Sequence, residues 1–254
     1  MVDAVLRSRR RKAQERLAVA ATRYAAQGWP VCVGAEFRTR VPQQRQPGKR
    51  ESGQPGQRQP GQRQPSQRQP GQRQSDQAGS GRACSCDRVG CPAPGAHPLS
   101  PAWKREASCD PAVVGQWWTE RPAATILLVT GRTFDVLDVP AAAGASALRR
   151  FELADHAPGP VAVSAGDRVL FFVATRSTGD EDEWWSCRLD CEPDVVPDVA
   201  GLRWHCRDSY VVAPPSRLVN GTSARWVAEP GTDALPDALR LLEVLADACE
   251  ETAP

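Results

Sequence analysis

The sequence predicts an α+β fold: one domain in which a central mixed or antiparallel sheet is flanked by helices and interrupted by a long disordered insert. Three observations carry that expectation. Short apolar runs separated by turn residues crowd the middle of the chain, as strands do. Helical patterns with start and stop signals lie at both ends. Residues 42–82 lose apolar side chains almost entirely. With 254 residues and 41% hydrophobic side chains, the chain has enough material for a core.

The chain opens on a basic block, Arg7, Arg9, Arg10, Arg11 and Lys12, which runs into a helical pattern through Leu17, Ala20, Ala21 and Tyr24 and stops at Gly28. The formal charge of +2 conceals a division: residues 1–82 hold 17 basic and 5 acidic side chains, and the remainder hold 15 and 25. The first part is therefore net +12 and the second net −10. A basic arm of this kind either neutralises phosphates or is a solvated helix start. Trp29 to Val33 follows as an edge strand, so residues 1–41 supply the arm, a first helix and a first strand.

Residues 42–82 form the insert. The pentad QPGQR occurs at 54–58, 59–63 and 69–73, with QPSQR at 64–68 between them. A period of five matches neither helix nor strand, and Gly, Pro and Gln bury too little apolar surface to offset chain entropy. The segment reads as a tolerated surface expansion, and its spaced arginines leave weak polyanion contact open.

Residues 83–235 form the expected core, opening on Cys84, Cys86, Cys91 and, after Pro94-Gly95-Ala96, His97. Three thiols and an imidazole in a turn-rich segment can converge on one tetrahedral cation, for which zinc is the natural candidate. The C-x-C-x4-C-x5-H spacing is not a common finger pattern, so a loop with free thiols is the alternative. Four protein ligands would make such a site structural.

Asp110 with Pro111 reads as a helix start, with Val113, Val114, Trp117 and Trp118 on its apolar side. Ile126 to Val129 reads as a buried strand and Phe134 to Val139 as a second strand paired with it across Gly131. Asp138 then either carries a carboxylate into a cleft or caps the helix beyond it, expected from about Ser146. Val161–Val163 and Val169–Ala174 form a hairpin, and an acidic loop follows at 179–183. Leu202–Cys206 and Tyr210–Ala213 read as another strand pair, with Arg225–Val227 as a last strand. Pro236 opens a final helix over 236–254, with Leu239, Leu242, Val244 and Leu245 inward.

The apolar runs are too short to span a bilayer, and no secretory apolar core follows the basic block, so a soluble, cytoplasmic protein is expected. Its nine cysteines are then expected to be reduced, metal-bound or buried.

In order along the chain, Gly28-Trp29-Pro30-Val31, the CSC…C…PGAHP cluster, Gln116-Trp117-Trp118, Thr130-Gly131-Arg132, Val136-Leu137-Asp138-Val139 and Tyr210-Val211-Val212-Ala213-Pro214-Pro215-Ser216 resemble the N-terminal domain of the bifunctional DNA primase/polymerases. That prim-pol family belongs to the archaeo-eukaryotic primase superfamily. The resemblance implies a primase-polymerase-like fold and places Cys84, Cys86, Cys91 and His97 where many relatives carry a metal cluster.

It also implies nucleotidyl transfer with two divalent cations, magnesium or manganese, held by carboxylates. Active relatives carry Asp-x-Asp on the central strand, a histidine on the hairpin strand and a third acid before the YVVAPPS string. Here the pair reads Asp138-Val139-Pro140, the histidine aligns with Val169, and the third acid aligns with Arg203. Asp138 is the sole surviving acid of a set with degenerate motifs.

Two function classes follow from the resemblance. One is a catalytically silent domain kept as a nucleotide- or nucleic-acid-binding or regulatory module, with Arg168 and His205 as nucleotide contacts beside Arg203 and the basic arm. The other is an active DNA primase/polymerase using non-family ligands. The sequence shows no helicase or P-loop segment, so replication work would call for a separate partner such as a helicase.

Overall fold

The computed structural model describes residues 2–39, 82–86, 88, 91–164, 167–175, 194–195, 199, 201–217, 221–232 and 234–253. Its elements run α1 (Val2–Ala26), β1 (Val31–Thr39), β2 (Arg82–Cys84), α2 (Trp103–Glu106), α3 (Pro111–Glu120), β3 (Ala124–Val129), β4 (Asp135–Pro140) and α4 (Ala141–Leu153). Then come β5 (Val161–Ser164), β6 (Arg168–Val173), β7 (Asp194–Val195), β8 (Arg203–His205), β9 (Tyr210–Val212), β10 (Arg225–Ala228) and α5 (Ala238–Thr252). The fold is α+β, and its antiparallel strands form two sheets. One has four strands in the order β2-β1-β3-β9, the other six in the order β10-β5-β6-β4-β8-β7.

This arrangement corrects three strand expectations. β3 and β4 do not pair with each other: β3 lies between β1 and β9, and β4 between β6 and β8. The chain crosses from one sheet to the other at Thr130-Gly131, and β8 and β9 are separated by the same kind of crossing. β1 is not an edge strand, since β2 covers its outer side with Phe37 opposite Cys84 and Thr39 opposite Arg82. The pentad insert and the acidic loop at 179–183 lie outside the described residues. The chain leaves β1 at Thr39 and resumes at its register partner Arg82, so an insertion there leaves the strand pairing intact.

The six-stranded sheet is covered on both faces. Toward the first sheet, Val136, Ala162, Leu170 and Phe172 pack with Ile126, Leu128, Val211 and the α1 and α3 residues Tyr24, Val114 and Trp118. Trp29 is central there, 4.6 Å from Phe134 and 5.2 Å from Phe172 between ring centroids. On the other face, Leu137, Val139, Val169, Phe171 and Trp204 pack under α4 and α5. Strand alternation therefore decides which residues of β4, β6 and β8 can reach the space between the sheets.

The helices follow their local signals with some adjustments. Asp110 caps α3 by accepting from the Ala112 amide at 2.8 Å, with Pro111 at the first position. Val114 and Trp118 are buried on that helix and Val113 is exposed. α4 starts at Ala141, five residues before the expected Ser146, because the small residues after Pro140 are already helical. Asp138 does not cap it: Pro140 holds the cap position and no side-chain cap bond forms. α5 begins at Ala238, two residues after Pro236, with Asp237 as its cap; Leu241 and Leu245 are buried, Leu242 and Val244 pack against the same core as expected, and Leu239 is half exposed.

Two of the strings that carry the resemblance hold the sheets together. Ser216 Oγ accepts from the Ile126 amide at 2.9 Å, and Pro214 O accepts from the Tyr24 hydroxyl at 2.7 Å. The YVVAPPS string thus locks β9, β3 and α1 to one another. Gly131, at φ +78°, lies so close to the 206–207 backbone that a Cβ would fall 2.1 Å from the Arg207 Cα. Only glycine fits that crossing.

Candidate functional site

Asp138 sits in the middle of β4, and its side chain is 7% exposed. Its register partners are Leu170 on β6 and Arg203 on β8. Because side chains alternate, Arg168, Arg203 and His205 share the face of Asp138. Both carboxylate oxygens are engaged. Oδ1 accepts from Arg168 Nε at 2.6 Å, and Oδ2 lies 3.2 Å from His205 Nε2. A carboxylate only accepts, so Nε2 carries the proton, and Nδ1 meets Ser209 Oγ at 3.1 Å.

Arg168 is held further by its Nη2, which donates to Asp138 O at 2.8 Å and to Gly201 O at 2.7 Å. Gly201 has φ +82°, and a Cβ on it would come within 2.9 Å of the Pro140 ring. Pro140, Gly201, Arg168, Asp138 and His205 therefore form one contiguous structure, in which the proline packs against the glycine whose carbonyl anchors the arginine. Asp135, one turn of the pleat away, faces the helices and accepts from Trp204 Nε1 at 3.2 Å. Arg203 is exposed.

At the outer edge of the four-stranded sheet, the ligand atoms of Cys84, Cys86, Cys91 and His97 all lie within 4.8 Å of one another. Cys84 Sγ is 3.2 Å from His97 Nε2, while His97 Nδ1 faces Pro98 O at 2.8 Å. A donor bond from Nδ1 leaves Nε2 as the free lone pair, which is the orientation a metal requires. The backbone amide of Arg88 brings the Cys86 thiol down to about 7, whereas burial lifts that of Cys91 to about 11. Among the described residues, this is the one group of three or more His, Cys, Asp or Glu side chains able to hold a metal ion. Three thiolate donors and one imidazole match a tetrahedral site, whose sulfurs stand roughly 3.7 Å apart for metal–sulfur bonds of about 2.3 Å.

Local folding makes the cluster. Cys84 ends β2 against Phe37, Ser85 N donates to Glu36 O at 2.9 Å, and Ala35 N donates to His97 O at 2.8 Å. β1 thus grips both ends of the turn-rich segment. Gly95, at φ +77°, closes the turn against Phe37 and donates its amide to Cys84 Sγ at 3.5 Å.

Over residues 21–240 the chain matches the family described as the bifunctional DNA primase/polymerase N-terminal domain. The chain belongs to that family. No curated protein matches it.

The three positions that the resemblance reads as replaced, Pro140, Val169 and Arg203, sit differently. Pro140 and Arg203 lie on the Asp138 face of the sheet, in register with Arg168 and Asp138 respectively. Val169 does not: it points under α4, where a Cβ on Gly144 would fall 2.6 Å from its own Cβ. Val169, read as the counterpart of the family histidine, therefore faces away from Asp138, and its neighbour Arg168 stands on the side facing Asp138. The sequence reading named Arg168 and His205 separately, but strand pairing brings both onto one carboxylate. Ser209 was missed, since its tie to His205 depends on a turn in which Asp208 has φ +61°.

Proposed function

We propose that this Prim-Pol domain binds nucleotide or nucleic acid without catalysing nucleotidyl transfer. The observation carrying this reading is the engagement of both Asp138 oxygens, one by Arg168 at 2.6 Å and the other by His205 at 3.2 Å. A pair of divalent cations needs several carboxylate oxygens together with substrate phosphates. The donor set around Asp138 does not fit them. A guanidinium occupies the position a cation would take, and a unit charge about 4 Å from it is repelled by roughly 4 kcal/mol at an effective dielectric near 20, twice that for a divalent ion.

Arg168 and His205 act in this reading by holding the carboxylate. Arg203, exposed directly opposite Asp138, is the side chain placed to meet a phosphate. A zinc ion held by Cys84, Cys86, Cys91 and His97 supplies structure: four protein ligands leave no open coordination position, so it fastens the segment after the insert to β1. The test is cation-dependent incorporation of labelled nucleotide on a primed template, run beside binding of a fluorescent nucleoside triphosphate. Binding without incorporation is the expected pair of results, and incorporation would reject the reading.

A further inference from the structure

The first three turns of α1 stand away from the body. Residues 4–13 are exposed at ten consecutive positions, whereas a helix lying on a surface buries a stripe every three or four residues. Contact with the core begins at Leu17 and continues through Ala21, Tyr24 and Ala25. At 1.5 Å per residue, the overhang from Val2 to Arg16 reaches roughly 22 Å.

That overhang is basic on more than one side. Residues 4–13 carry Arg7, Arg9, Arg10, Arg11 and Lys12 and no acid. At about 100° per residue, Arg7 and Arg11 share one side of the helix, Arg9, Lys12 and Arg16 the opposite side, and Arg10 lies between them. Arg7 is repelled by Arg10 and Arg11, and Lys12 by Arg9 and Arg16, all at helical three- or four-residue spacings. Among the described side chains one compensating pair is present, Arg11 with Glu15 at 2.8 Å, whose arginine side chain is still 84% exposed, and with Asp3 and Glu15 the only acids against six basic residues the overhang stays strongly positive. No burial offsets this repulsion, so the fold alone does not account for the arrangement.

We infer that the α1 overhang is a docking element for double-stranded nucleic acid, lying in the major groove with its two basic sides against the two phosphate rows. A groove about 12 Å wide admits one α-helix, and cations on opposite sides of that helix reach both backbones at once. The charge is almost all arginine, whose planar fork suits phosphate oxygens. A membrane surface fits less well, because an interfacial helix segregates an apolar face along its length, and here no large apolar side chain stands between Leu6 and Leu17. The inference is independent of whether the Asp138 site is silent.

The experiment measures binding of the full chain to a fluorescent 20-base-pair duplex at several salt concentrations, with Arg7→Gln, Arg9→Gln, Arg10→Gln and Arg11→Gln combined in one variant. Losing four phosphate contacts lowers the slope of log affinity against log salt by about 3.6. A second variant, truncated to begin at Gln14 and so lacking Lys12 as well, lowers the slope by about 4.5 and serves if the first fails to fold. Helical circular dichroism of the wild type rises on adding duplex, as phosphates relieve the repulsion. An unchanged slope in both variants overturns the inference. So does equal or tighter binding to single strands, or arm-dependent binding to anionic vesicles or an acidic protein but not to duplex.

Discussion

Arg168 reaches Asp138 diagonally across the β4–β6 ladder: its own register partner is Pro140, yet its Nε lies 2.6 Å from the carboxylate two residues away. Diagonal neighbours on one face of an antiparallel pair are within reach of a long side chain. Pro140 thus stands in register with the arginine that pairs with Asp138.

Removing one member of that pair leaves a buried charge. Asp138→Ala is expected to lower the unfolding free energy by about 3–5 kcal/mol, and adding Arg168→Met to recover much of the loss. Denaturant unfolding of the two single variants and the double variant closes the cycle. Strict additivity would mean that the two side chains do not interact.

The packing of Val169 beneath α4 gives a separate check on which residues share the face of Asp138. Gly144→Ala places a Cβ 2.6 Å from that of Val169 and is expected to cost roughly 1–3 kcal/mol, relieved by Val169→Ala. An unaffected midpoint in Gly144→Ala would put Val169 elsewhere.

The strand and helix vocabulary was legible in the sequence because apolar runs and turn residues mark it locally. Asp110 with Pro111, the β5–β6 hairpin and the closing helix appear close to where those signals lie. Partnership was not legible. Ile126–Val129 and Asp135–Pro140 look like neighbours because a short turn joins them, yet Gly131 carries the chain between sheets. The metal cluster could be read because its four ligands fall within fourteen residues, 84–97. The Asp138 site could not, because Arg168, Gly201 and His205 join it through register across two ladders.

For the cluster, the purified reduced protein is expected to carry about one zinc, and Cys84→Ser or Cys91→Ser to lose it together with stability. Elemental analysis decides the point: a folded wild-type sample without zinc would remove the metal from this account.

Alkaline pH should expose the buried thiol. Burial, followed by the charge of Glu106, raises Cys32 from 9.0 to about 12, and burial likewise raises Tyr24 and Tyr210. A raised folded value means the contribution is fully present below the unfolded value and is lost as pH climbs through the folded one. The thermal midpoint should therefore fall between about pH 9 and 12, and Cys32→Ala should reduce that fall. A midpoint constant to pH 11 would contradict the burial of these groups.

The central claim is that Asp138 is a structural ion-pair partner and not a metal ligand, and Asp138→Asn tests it most directly when incorporation and stability are measured on the same samples. The account predicts no Mg²⁺- or Mn²⁺-dependent nucleotide incorporation by either protein, with the variant less stable by about 3 kcal/mol or more. Incorporation by the wild type that the variant abolishes, with stability unchanged, would contradict it.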